Sequence, residues 1–142
     1  MFFAFTGLVY TPLSSAADIR VRLINTQTGE PMAGQQVGLR PDRQPGDYRL
    51  TWTRMTTGAD GVAVFHLADP AVEWVNVAVT SQMLWQCSPW QKSTFPTGEI
   101  LEHGVVAKNR CALKGGQKGK IEAKAGEVVL FTRPLHWWEK AQ

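Results

Sequence analysis

Apolar side chains along this chain recur at every second position, in short runs that stop at glycine, proline or aspartate. Ile19, Val21 and Leu23 fall on one side of an extended segment and Arg20 and Arg22 on the other, the alternation of a half-buried strand. Val37 and Leu39 alternate with Gly38 and Arg40 in a second strand, which Pro41, Pro45 and Gly46 close. Tyr48, Leu50 and Trp52 oppose Arg49, Thr51 and Thr53 in a third that runs to Thr57. Asp60-Gly61 is a strong hairpin signal. Beyond it Ala63, Phe65 and Leu67 are expected to face the core, with Val62, Val64 and His66 outward. Val75, Val77 and Val79 predict a fifth strand, residues 99–106 a sixth and residues 127–132 a seventh. In the last, Val128, Val129, Leu130 and Phe131 are dense enough to be covered on both faces. The spacing predicts an all-β fold, an antiparallel two-sheet sandwich of about seven strands, immunoglobulin- or prealbumin-like.

Two segments break the pattern. Residues 82–98 form a long connection that holds Trp85, Cys87, Trp90, Phe95 and two prolines, and connections of that length are commonly functional or crosslinked. The tail places Trp137 and Trp138 side by side a few residues before Gln142. So much apolar area predicts that the tail docks on something, with the two rings on opposite sides of an extended strand.

Residues 1–17 carry no charge and combine an apolar run, Phe2 to Phe5 and Leu8 to Tyr10, with the small residues Ser14 to Ala17. They read as a secretory leader, atypical in lacking Lys or Arg near Met1, with residues 18–142 as one mature sandwich domain. Thr6, Gly7, Thr11 and Pro12 interrupt the run, and about 20 apolar residues are needed to span a bilayer, so no transmembrane segment is expected. The chain should be exported, to the periplasm or beyond. In that setting Cys87 and Cys111, the only cysteines, are expected to form a disulfide. Closing a loop of about 25 residues stabilises a fold by roughly 3–4 kcal/mol on the chain-entropy estimate.

A net charge of +3 comes largely from Lys108, Arg110, Lys114, Lys118, Lys120 and Lys124, a run that reads as a solvated loop. Its glycines miss the phosphate-loop spacing, with Ile121 where a hydroxyl should stand. No aromatic is interleaved with the lysines, so nucleic acid is not an expected partner. His66, His103 and His136 are scattered and there is no nucleophile elbow or zinc pattern, so no catalytic, cofactor or metal residue is assigned.

The turn motifs T-G-E-P-M-A-G-Q-Q-V-G-L, from Thr28 to Leu39, and T-T-G-A-D-G-V-A-V-F, from Thr56 to Phe65, resemble those of carboxypeptidase regulatory-like, or transthyretin-like, domains. The resemblance covers Ile19 to Val79. It implies a seven-stranded prealbumin-like sandwich, with Gly29, Pro31 and Gly34 shaping the first turn, and a role in binding or structure rather than catalysis. Transthyretin-like hydrolases carry a C-terminal Tyr-Arg-Gly-Ser where this chain reads Glu139-Lys140-Ala141-Gln142. The leading expectation is a non-enzymatic exported module with a protein or glycan partner. Its contact surface is sought at Trp85, Trp90, Trp137 and Trp138. One alternative is a carbohydrate-binding module whose Trp85 and Trp90 form a stacking platform, against the blander option that both rings cap the open end of the sandwich. The other is a transthyretin-like hydrolase with an unrecognised site.

Overall fold

A computed structural model describes residues 17–42, 52–68, 72–88, 93–111 and 121–139. The leader apart from Ala17, the start of the third expected strand, Trp90 and the lysines at 114, 118 and 120 lie outside the described residues. Among the described residues nine strands and one helix follow in order: β1 (Ala17–Asn25), β2 (Gln36–Asp42), β3 (Thr53–Thr56), β4 (Val62–Leu67), β5 (Trp74–Val79), β6 (Leu84–Gln86), β7 (Thr94–Pro96), α1 (Thr97–His103), β8 (Val105–Val106) and β9 (Glu127–Pro134). Among the described residues no helix is long and apolar enough to cross a membrane.

Two sheets pack face to face. One runs β4-β1-β9-β6, with β8 also paired to β9, and the other runs β3-β2-β5-β7. Their shared interior is supplied by the alternating positions: Ile19, Val21 and Leu23 from β1, Ala63, Phe65 and Leu67 from β4, Val128 and Leu130 from β9, and Val37, Leu39, Val75, Val77 and Val79 from the facing sheet. Each fully buried valine, leucine or isoleucine stabilises the fold by about 1.5–3 kcal/mol relative to exposure. The expected facing of β1 and β4 is the one observed.

Three features differ from the sequence reading. First, the pairing is not wholly antiparallel, because β1 and β9 run parallel from Arg20↔Glu127 to Asn25↔Thr132, and β8 is parallel to β9. Parallel partners need a long crossover, and nearly the whole chain separates β1 from β9. Second, residues 99–106 are mostly helix. Ile100 is the buried anchor of α1 and Glu99 lies in its first turn, where an acid complements the helix dipole. Gly104 ends the helix at φ 75 and ψ 160, a conformation essentially confined to glycine. A Cβ there would sit 2.1 Å from the Lys124 carbonyl oxygen. Third, the described residues within 82–98 are not wholly irregular, since they supply β6, β7 and the start of α1.

The two turn motifs meet each other. The Leu23 N–H donates to the Gly61 carbonyl at 2.9 Å and the Met32 N–H to the Leu23 carbonyl at 3.0 Å. Thr57 joins the same knot, its hydroxyl donating to the Met32 carbonyl at 2.6 Å while its backbone exchanges bonds with Gly34 and Gln35. Gly61 adopts φ +76, and a Cβ added there would stand 2.7 Å from the Pro31 Cβ and 3.0 Å from the Met32 nitrogen, which leaves no room for a side chain.

A second apolar cluster lies on the outer face of the β1/β9 sheet. Ile24, Val129, Phe131 and Cys87 are buried there beneath Cys111, Ile121 and Ala123. The Cys87–Cys111 disulfide, with Cα atoms 5.3 Å apart, ties this covering segment to the strand beside it. That is why β9 is covered on both faces.

Candidate functional site

β6 holds only three residues, and its place at the sheet edge follows from its pairing with the end of β9: Leu84↔Pro134, Trp85↔Arg133 and Gln86↔Thr132. The Thr132 hydroxyl donates to the Trp85 carbonyl at 2.7 Å. One residue before and after, the Leu135 N–H donates to the Met83 carbonyl at 3.1 Å, extending the pairing into the tail.

The cross-strand pair is also a ring and a cation. The Arg133 guanidinium lies over the Trp85 ring, 5.4 Å from its centroid, within range of a favourable cation–π contact. Arg133 forks onto Glu139 with contacts of 2.8 and 3.2 Å, and the His136 N–H donates to the same carboxylate at 2.9 Å. The bonds from Arg133, then that from the His136 backbone, pull the Glu139 pKa from 4.5 to about 2. This clamp bends the tail into a turn. The imidazole of His136 stacks on Trp138 with centroids 4.4 Å apart, and Trp137 meets Trp138 edge-on at 5.9 Å. Both tryptophans therefore belong to a turn, not to an extended strand with rings on opposite sides. Neither ring is covered by its own chain among the described residues, Trp137 being 80% exposed and Trp138 53%.

Trp85 is 50% exposed and Met83 54%. Together with the two tail rings they place four large apolar side chains along β6 and the turn that continues β9. Trp90, the expected companion of Trp85, lies outside the described residues. Of the other tryptophans, Trp52 lies on the outer face of the second sheet, with the Arg40 guanidinium 4.9 Å from its ring centroid and Arg40 itself paired to Asp42 at 2.8 Å.

Beside Trp85 the chain forms a cleft of about 440 Å³ between β6 and the disulfide, lined by Val79, Leu84, Trp85, Gln86, Ser88, Arg110 and the two cysteines. Val79, Cys87 and Ser88 are buried, whereas Trp85 and Arg110 are exposed at the rim. The polar groups of its wall are spent on the fold. The Gln86 amide oxygen accepts from the Val79 N–H at 2.8 Å, and its nitrogen donates to the Ser88 carbonyl and the Ser93 hydroxyl at 2.8 and 3.0 Å. The Ser88 hydroxyl donates to the Lys108 carbonyl at 2.7 Å. Arg110 is held through its backbone, whose N–H donates to the Cys87 carbonyl at 2.9 Å. Its guanidinium meets no acid among the described residues.

The histidines occupy three different elements, each beside its own carboxylate: His66 with Asp18, His103 with Glu102 and His136 with Glu139. Among the described residues no group of three or more metal-ligating side chains converges. Sequence reasoning singled out Trp85 and the tail rings, read Arg110 only as part of a solvated basic run, and passed over Met83, Arg133 and Glu139. For Arg110 a signal existed in its position next to Cys111; for the Arg133–Glu139 clamp there was none, since six residues and a turn separate the pair. No protein-family model matches the chain, and no curated protein or solved structure does so either.

Proposed function

We propose that the chain is a non-enzymatic β-sandwich module of an exported protein that works by association, with its contact surface along β6 and the tail turn. The observation that carries this reading is the gathering of Met83, Trp85, Trp137 and Trp138 on one edge, half or more exposed, with the two tail rings held in a turn fixed by Arg133 and Glu139. Aromatic anchors and methionine are the residue types enriched at protein interfaces. The partner is a second copy of the chain. The clamp's cation and anion cancel each other, so two such edges can meet without opposing like charges. The disulfide suits an exported protein, and the locking together of the two turn motifs suits the prealbumin-like type of sandwich within the two-sheet class.

Sedimentation velocity over a range of concentrations tests the proposal. The wild-type chain should form a dimer that Trp137→Ala/Trp138→Ala abolishes while leaving the far-ultraviolet circular dichroism spectrum unchanged. A wild-type chain that stays monomeric at all concentrations, or a double variant that dimerises as well as the wild type, would overturn it.

The carbohydrate reading keeps one point in its favour, the half-exposed Trp85 ring beside a cleft. Against it, a sugar needs hydrogen-bonding partners for its hydroxyls, and Gln86 and Ser88 are already engaged. For the hydrolase reading, a histidine would have to share a cleft with a second catalytic group, and none lines the one beside Trp85.

A further inference from the structure

The geometry points to a second binding site, which borders the self-association edge and shares Trp85 with it: the cleft between β6 and the Cys87–Cys111 disulfide takes a small amphipathic anion, an apolar body bearing one acid group. Its volume of about 440 Å³ lies in the lower part of the range of roughly 300–1,000 Å³ typical of small-molecule sites. The walls are more apolar than polar. Val79 and Leu84 supply aliphatic surface, Trp85 a ring and the disulfide a polarisable floor, so an apolar body is accepted and few hydroxyls are. What the cleft offers beyond apolar contact is, among the described residues, one charge. Arg110 stands at its rim, permanently protonated and without an acidic partner among the described residues. Arg133, the nearest alternative cation on Trp85, is already forked onto Glu139.

The cleft is also pre-formed. The disulfide fixes Cys111 against β6, the Arg110 N–H is bonded to Cys87, and Gln86 and Ser88 are locked by their own hydrogen bonds. A ligand entering it orders little, which favours binding of even a small molecule. Among the described polar side chains of the wall the guanidinium is the one not committed to the fold, and it is the element that selects for charge.

Two fluorescent probes of related shape separate the contributions: 8-anilinonaphthalene-1-sulfonate, which is anionic, and N-phenyl-1-naphthylamine, which is neutral. Both are titrated into the folded, oxidised chain. The anionic probe should saturate at one site per chain and bind more tightly than the neutral one. Arg110→Gln should weaken the anionic probe about five- to tenfold, the worth of one partly screened charge-assisted contact, and change the neutral probe less than about twofold. Trp85→Ala should weaken both. Trp137→Ala/Trp138→Ala, which removes the tail rings of the proposed dimer edge and leaves the cleft's lining residues in place, should weaken neither probe, so that the two proposals fail independently. Equal affinity for the two probes, an anionic affinity unchanged in Arg110→Gln, or binding lost with the tail rings instead of Trp85 would each overturn the assignment.

Discussion

Alanine at position 61 would carry a methyl group 2.7 Å from the Cβ of Pro31, 3.0 Å from the Met32 nitrogen and 3.1 Å from the Leu23 carbonyl oxygen. Two costs combine there. The backbone sits at φ +76, where an L side chain costs about 1–2 kcal/mol. The methyl must also push Pro31 and Met32 away, straining the bond between the Met32 N–H and the Leu23 carbonyl at the junction of the two turn motifs. A weakened buried hydrogen bond and overpacking of this size add about 1–3 kcal/mol, for a total of about 2–5 kcal/mol. Gly29 provides the control, because it has nearly the same φ, +75, with nothing within 4 Å of the added carbon. Gly29→Ala should therefore show the conformational cost alone, about 1–2 kcal/mol. Urea unfolding of the oxidised variants, followed by tryptophan fluorescence and extrapolated linearly, reads both values. If Gly61→Ala proves no more destabilising than Gly29→Ala, the two motifs do not lock each other and the steric argument fails.

Gly104→Ala should be more damaging than either, since the added carbon would lie 2.1 Å from the Lys124 carbonyl oxygen; an unfolding midpoint within error of Gly29→Ala would contradict this. Replacing both cysteines with serine should lower stability by roughly 3–4 kcal/mol, and amide exchange should accelerate first in residues 107–111 and 121–124. Uniform acceleration through β2 and β5 would show instead that the bridge stabilises the whole sandwich evenly. The Glu139 carboxyl, held down to about 2 by Arg133 and the His136 N–H, contributes to tail order above its ordinary value of 4.5. That contribution is lost as the pH falls from 4.5 through about 2. The His136 amide resonance should follow this low-pH transition and cease to do so in Glu139→Gln; a midpoint near 4.5 in the wild type would refute the clamp.

The strands that were legible in the sequence are those with one face in the core and the other in water. Ile19, Val21 and Leu23, like Ala63, Phe65 and Leu67, alternate because only one side of β1 and β4 meets the opposing sheet. Ile24 did not fit that alternation, since its burial depends on a covering segment brought there by the disulfide. α1 was read as a strand because seven residues are too few for a helical period to stand out from a period of two. The cues that remained were punctuation, with Pro96 before the helix, Glu99 in its first turn and Gly104 after it. The site was half legible. Tryptophans outside the alternating pattern stood out, but which of them are exposed is decided by the pairing of β6 with β9 and by the Arg133–Glu139 clamp. Both are tertiary facts with no local signature.

The parallel pairing of β1 with β9 has a mechanical meaning. A chain that enters at Ala17 and leaves at Pro134 does so at opposite ends of two neighbouring strands, roughly 33 Å apart along the strand direction at the usual rise of a strand. Tension applied through the two flanks therefore acts along the strands and loads their shared hydrogen bonds in shear. The rungs from Arg20↔Glu127 to Asn25↔Thr132 would have to rupture together rather than unzip singly, the geometry of a tether that resists being stretched.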